Sequence, residues 1–190
     1  MSFQRVSPRA GMTMTKPDKG DTQRQHVFET MAKLYGWTDF IEIGVRKGQT
    51  GLHLLAACPE LRWLGVDPYA VYDGSAAEPG FYDHRGENRE AQYHGVMQKL
   101  AAFGDRAFLL REFSAGAAEK VEDRAADCVF IDADHRYEFV KQDIALWRGK
   151  VKPGGWLTGH DIDWEPVARA VAEEFPDALR LPDMIWAVRL

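Results

Sequence analysis

From about residue 25 onward, the apolar positions of the chain switch period in a regular way. QHVFETMAKLY (25–35) spaces them at helical intervals, and DFIEIGV (39–45) is an apolar run of strand length. The alternation continues through helical TGLHLLAACP (50–59), strand RWLGVD (62–67), irregular 68–85 and helical ENREAQYHGVMQKLAAFG (87–104). Strand RAFLLREF (106–113), a short helix in 115–122, strand DCVFID (127–132) and helical YEFVKQDIALWRGK (137–150) follow. KPGG predicts a turn into strand WLTGHD (156–161), then a helix over PVARAVAEEF (166–175). Two last strands, about 178–181 and 185–189, flank LPDM, which is too short for a crossover.

Strands separated by helices of ten or more residues imply right-handed crossovers and a mostly parallel sheet covered on both faces. The expected fold is α/β: a doubly wound, seven-stranded sheet with an antiparallel strand pair at one edge. At 190 residues the chain has room for one well-buried domain. We expect a flexible basic leader over 1–25 and a single domain over 26–190.

Charge narrows the partners. The net charge is −5, but residues 1–25 hold five Lys/Arg against two Asp/Glu, so the other 165 residues carry −8. A folded domain of that sign is poorly suited to nucleic-acid phosphates. No apolar run reaches 18 residues and the N-terminus has no apolar stretch, so neither a membrane span nor a secretory signal is expected, and a cytoplasmic location is the simplest reading. Cys58 and Cys128 lack metal-type spacing and are expected as reduced core thiols.

Ligands of open parallel sheets bind beyond the carboxyl ends of the strands. The unusual polar clusters of this chain fall at five such ends: Gly44 to Gly48, Asp67, Ser114, Asp132–Asp134–His135 and His160–Asp161. In EIGVRKGQTG the spacing is GxxxGxxG, neither the GxGxxG of dinucleotide binders nor a phosphate loop, and a plain tight turn would also explain it. Asp67, about 20 residues on, is placed to accept hydrogen bonds from a ribose diol, or to cap the next turn. Together they point to a nucleoside-bearing ligand. Asp134 has the position of a cap for the helix that follows, and capping is also the alternative reading of Asp132 and of the His160–Asp161 pair.

EIGVRKGQT (42–50) resembles the ExGxxxGxS/T motif of class I S-adenosylmethionine-dependent methyltransferases. FIDADH followed by KPGGWLTGHD is similar to the metal-assisted O-methyltransferases, of the catechol and caffeoyl-coenzyme-A type and the bacterial macrocin-type sugar group. The resemblance implies a Rossmann-like fold and S-adenosylmethionine as cofactor. It implies that Glu42, Gly44 and Gly48 shape the methionine side, that Thr50 meets the methionine carboxylate, and that Asp67 holds the ribose, with Ser114 by the adenine. Asp132 would border the cofactor and be the first ligand of a divalent metal, with His160 and Asp161 the second and third. An imidazole in that set shifts preference from Mg2+ toward Mn2+, Fe2+ or Zn2+; the other reading has His160 only orienting Asp161. His135 falls where the family has a lysine proposed as general base; a structural, backbone-bonded histidine is the other reading.

The implied reaction is methyl transfer to a small hydroxylated acceptor, a vicinal diol, catechol or sugar, with no membrane or nucleic-acid partner and a homodimer as a candidate assembly. The loop 70–88 and DIDWEP (161–166), with Tyr69, Tyr72, Phe81, Tyr82, Trp164, His84 and Arg85, would build the acceptor pocket. Two alternatives stay open: a nucleoside-binding protein without catalysis, and a nicotinamide-dependent oxidoreductase, against which the missing GxGxxG counts.

Overall fold

The computed structural model describes residues 24–70 and 86–190. The elements follow the expected order: α1 (Arg24–Tyr35), β1 (Asp39–Ile43), α2 (Gln49–Ala57), β2 (Arg62–Val66), α3 (Arg89–Leu100), β3 (Ala107–Leu110), α4 (Ser114–Ala118), β4 (Ala126–Ile131), α5 (Tyr137–Trp147), β5 (Val151–Gly159), α6 (Glu165–Glu174), β6 (Leu179–Leu181) and β7 (Ile185–Arg189). They build one seven-stranded sheet in the order β3-β2-β1-β4-β5-β7-β6.

Strands β1 to β5 pair in parallel, whereas β7 runs antiparallel to both β5 and β6. The expected edge pair is therefore present, with its second strand inserted inside the first. The LPDM connection makes this possible because Asp183 and Met184 both take left-handed φ, 59° and 55°, and fold the chain back within a few residues.

Alternate residues of each strand feed opposite layers, as the two-residue period requires. Ile41, Ile43, Val129 and Ile131 face α5 and α6 with Ile144, Trp147 and Val167, while Phe40, Cys128 and Phe130 face α1 and α2 with Phe28 and Leu54. Both cysteines are buried and free. At the amino end of the sheet Asp127 accepts from the amides of Thr38 (2.8 Å) and Asp39 (2.9 Å) and from Lys152 (3.0 Å), so acidic residues there tie strands together.

Three expectations are corrected. Strand β5 begins at Val151, not at 156, and KPGG lies within it. The register shifts between the pairs Ala126–Val151 and Cys128–Trp156, where Gly154 has φ 79° and a Cβ on Gly155 would lie 2.6 Å from the Asp127 carbonyl. Two adjacent glycines are thus a bulge against a close backbone, not an entry turn. The short helix expected in 115–122 is present but shorter and earlier, the five residues Ser114–Ala118. Finally, α1 starts at Arg24, inside the segment assigned to the leader.

Candidate active site

The strand order reverses between β1 and β4: from β1 the chain works outward through β2 and β3, then returns to β4 on the other side. A crevice must open beyond the carboxyl ends there, because the flanking connections leave toward opposite faces. Among the described residues, a cavity of about 330 Å³ occupies that place and takes lining residues from the ends of β1, β2, β4 and β5.

The β1 end supplies the glycine turn. Gly44 has φ 92°, and a Cβ there would stand 2.1 Å from the carbonyl oxygen of Asp132. The reason is a tight seam: the Asp132 amide donates to Ile43 (2.7 Å) and the Gly44 amide to Val66 (2.8 Å), drawing three strand tips together. Gly48 precedes α2 with φ 70° and brings no side chain to cap the helix, and Gln49 and Thr50 of its first turn line the cavity.

Glu42 is the buried acid of β1. It shares the sheet face of Phe40, where its Oε2 accepts from the indole N–H of Trp63 at 2.9 Å. Burial pushes its carboxyl up to about 8, against the pull of Trp63, Arg24 and Thr50. Trp63 in turn packs so flat that a Cβ on Gly51 or Gly65 would come within 2.3 Å or 2.2 Å of its ring.

Asp67 sits at the tip of β2 with its acceptor sites in use. Oδ2 accepts from the amides of Val45 (3.1 Å) and Arg46 (2.8 Å), and Oδ1 from the amide of Tyr69 (2.7 Å) and from Arg89 (3.3 Å). A carboxylate offers about four lone-pair sites. Arg89, itself buried and on the cavity wall, is the weakest and most replaceable of the four partners.

The β4 and β5 ends form a charged cluster. His135 Nε2 lies 2.8 Å from Asp161 Oδ2 and 3.4 Å from Asp132 Oδ1, and His160 Nδ1 lies 3.2 Å from that same Asp161 oxygen. Burial alone would lower the pKa of His135, but the two carboxylates outweigh it and raise it to about 10. His160 is raised for the same reason, and the two imidazoles hold Asp161 well below the usual carboxylate range although burial opposes them. Asp161 also holds φ 55°, a conformation that costs a non-glycine residue about 1–3 kcal/mol unless its surroundings fix it. Asp132 receives a second cation, the guanidinium of Arg24, while the Arg24 amide donates to Asp183 at 2.9 Å. Trp164 closes this side, its ring 5.0 Å from that of His135.

The family description methyltransferase domain matches residues 41–162. The chain belongs to that family. Solved structures share the fold of this methyltransferase domain at low identity. An S-adenosylhomocysteine (SAH)-bound methyltransferase from Podospora anserina superposes with a TM-score of 0.66 at 12% identity, covering 90% of this chain and 79% of that one. An O-methyltransferase from Bacillus cereus in complex with SAH gives 0.63 at 13%, covering 92% and 84%. The O-methyltransferase TomG from Streptomyces achromogenes, in complex with SAM, gives 0.62 at 12%, covering 89% and 80%. Among curated proteins, the uncharacterized protein y4gI of Sinorhizobium fredii is 31% identical over 81 residues, 43% of this chain but only 9% of that protein.

The methyltransferase domain thus brings Glu42, Gly44, Thr50, Asp67, Asp132, His135, His160 and Asp161 to one cavity. Gly48 stands beside it, with Val96 3.2 Å from where its Cβ would be. Ser114 is not on the wall: its hydroxyl donates to buried Asp143 and accepts from Trp147 Nε1 at 2.8 Å. Asp134 turns away to hold the amide of Arg136 (3.0 Å); Arg136 is itself the N-cap of α5, so Asp134 makes a turn before the helix and does not cap it as read from sequence. Tyr69 is buried in the described structure, whereas Tyr72, Phe81, Tyr82, His84 and Arg85 lie outside the described residues. Sequence reasoning missed Arg24 and Arg89, because nothing in their neighbourhoods marks them; both are recruited from elements remote in sequence from the carboxylates they meet.

Proposed function

We propose that this chain transfers the methyl group of S-adenosylmethionine to a hydroxyl of a small acceptor, a vicinal diol, catechol or sugar, with help from a divalent cation. The observation that carries the reading is the meeting of four strand ends on one cavity at the reversal of strand order, in a chain of the methyltransferase family. The SAM and SAH bound by structures of the same fold support it.

In this reading Glu42, Gly44 and Gly48 shape the methionine side, and Thr50 with the first turn of α2 receives the methionine carboxylate, an anion at a helix start. Asp67 takes the ribose hydroxyls in exchange for Arg89, the one partner it can release without breaking a backbone bond. Bound there, the cofactor supplies a sulfonium-activated methyl group. What remains for the protein is to align the acceptor and remove its proton.

The residues fit a cation as well. Two carboxylates, Asp132 and Asp161, converge with an imidazole, His160, a donor set suited to Mn2+, Fe2+ or Zn2+ and acceptable to Mg2+. Their need for positive charge is visible in the structure, where Arg24 and His135 answer it. A cation held there would lower the pKa of an acceptor hydroxyl. His135 holds a proton between the two carboxylates; with a cation's charge beside it, it would give that proton up, leaving Nε2 able to take the acceptor's, and Trp164 offers a face on which a ring can stack.

Calorimetry with S-adenosylmethionine and with NAD tests the cofactor, and methyl transfer to a panel of diols with each metal tests the chemistry. Wild type and Asp132→Ala are expected to bind S-adenosylmethionine, with transfer falling by roughly 10²–10⁴-fold in the variant. Binding of NAD in its place, or cofactor binding without transfer under any metal or acceptor, would sink the reading.

A further inference from the structure

A second group of ligating side chains lies away from the cavity, where α1 packs on α2. His26 and Glu29 are one turn apart on α1, which puts them on one face, and His53 reaches them from α2. His53 Nε2 is 2.7 Å from Glu29 Oε2, and His26 Nδ1 is 3.7 Å from the same oxygen. The two imidazoles meet edge-on, centroids 4.8 Å apart. Ligand atoms from all three residues lie within 4.8 Å of one another. Lys33 holds the other carboxylate oxygen, Oε1, at 2.6 Å and so leaves Oε2 turned toward the imidazoles.

The His53–Glu29 contact is an ordinary hydrogen bond and needs no further explanation. His26 is different. Its side chain is 68% exposed and 3.7 Å is too long for a hydrogen bond, yet its Nδ1 approaches the same oxygen. Three groups converging on one point is the arrangement a metal ion requires. We infer that His26, Glu29 and His53 bind a transition-metal dication of the Zn2+ class. Two imidazoles and a carboxylate suit Zn2+, and three protein ligands leave a fourth position for water. Mg2+ and Ca2+, which prefer oxygen donors, are disfavoured. An ion there would cross-link α1 to α2. Because α1 begins with Arg24, the residue that meets Asp132, the site also anchors the helix that carries a side chain into the cavity. The inference stands independently of the proposed reaction.

The test is Zn2+ titration calorimetry and thermal denaturation on the full, untagged chain at pH 7.5. It compares wild type, Asp132→Ala, His26→Ala and His53→Ala. Asp132→Ala weakens the other cluster but leaves His135, His160 and Asp161 there, so this site is assigned by the Zn2+ binding that His26→Ala and His53→Ala remove, each also made together with Asp132→Ala and Asp161→Ala. Wild type and Asp132→Ala are expected to bind Zn2+ and melt higher with it. His53→Ala and the surface variant His26→Ala should weaken that binding at least tenfold and lose the rise in melting temperature. Absence of binding in Asp132→Ala, or equal binding with and without His26 and His53, overturns the inference. Circular dichroism of each variant without metal confirms that folding is intact.

Discussion

At the scale of single residues, the cavity is a set of charges that neutralise one another, and each compensation predicts a competition. Arg24 pairs with Asp132 where the side chains are only 21% and 17% exposed. Replacing Arg24 by Ala leaves Asp132 with less opposing charge. Because the pair is partly wet, the expected loss of stability is only about 1–2 kcal/mol by urea denaturation. The same change frees an Asp132 oxygen, so calorimetry should find Mn2+ bound more tightly to Arg24→Ala than to wild type, and Arg24→Lys between them. Equal affinity in all three would mean that the guanidinium and the cation do not share that oxygen. Asp67 poses a different contest. Asp67→Ala would strand the amides of Val45, Arg46 and Tyr69 and leave Arg89 buried with less compensation, at a cost on the order of 3 kcal/mol. Lost cofactor binding in that variant would say little about ribose. Arg89→Gln is the sharper probe: it vacates one Asp67 lone pair, and S-adenosylmethionine affinity measured by calorimetry is expected to hold or rise.

At the scale of elements, the glycine turn shows how far a sequence can be read. EIGVRKGQTG marks a turn after a strand, and both Gly44 and Gly48 indeed have left-handed φ, 92° and 70°. The spacing does not reveal that they answer to different neighbours. A Cβ on Gly44 would enter the Asp132 backbone at 2.1 Å, across the β1–β4 seam, and backbone cannot move aside. One on Gly48 would meet only side chains, Val96 at 3.2 Å and Leu52 at 3.4 Å, which can turn. Gly44→Ala is therefore expected to cost about 3 kcal/mol or more and Gly48→Ala about 1 kcal/mol, read from denaturant midpoints. A Gly44→Ala protein as stable as Gly48→Ala would contradict the seam argument. The same division runs through the rest of the site. Period and strand-end position exposed Asp67, Asp132, His135, His160 and Asp161, because both are local properties of the chain. The tie of Ser114 to Asp143, the indole of Trp63 over Glu42 and the reach of Arg24 to Asp132 depend on packing between distant segments, and no local pattern encodes them.

At the scale of the whole molecule, the sheet keeps ionisable groups at its carboxyl end under the cover of helices, and that placement should be measurable as a pH dependence of folding. Burial raises Glu42 from an ordinary 4.5 to about 8 and Asp143 from 3.8 to about 7. Between pH 4.5 and 7 the native state therefore holds protons on both groups that the unfolded chain releases. Stability must fall as pH rises whenever the native state binds more protons. His135 acts in the same sense: raised from 6.5 to about 10, it contributes stability that is fully present below pH 6.5 and lost as pH climbs through its folded value. The lowered Asp161 works the other way, but only on the acid side of 3.8. Each tenfold difference in proton affinity is worth about 1.4 kcal/mol, so the three groups outweigh ordinary surface titration. Urea unfolding at pH 5.5 is expected to need more denaturant than at pH 8.5. Glu42→Gln and Asp143→Asn keep the acceptors for Trp63 and Ser114 but carry no charge, and each should flatten the slope. A Glu42→Gln curve as steep as that of wild type would show that Glu42 does not hold its proton in the native fold, and the apolar setting assigned to that end of β1 would be wrong.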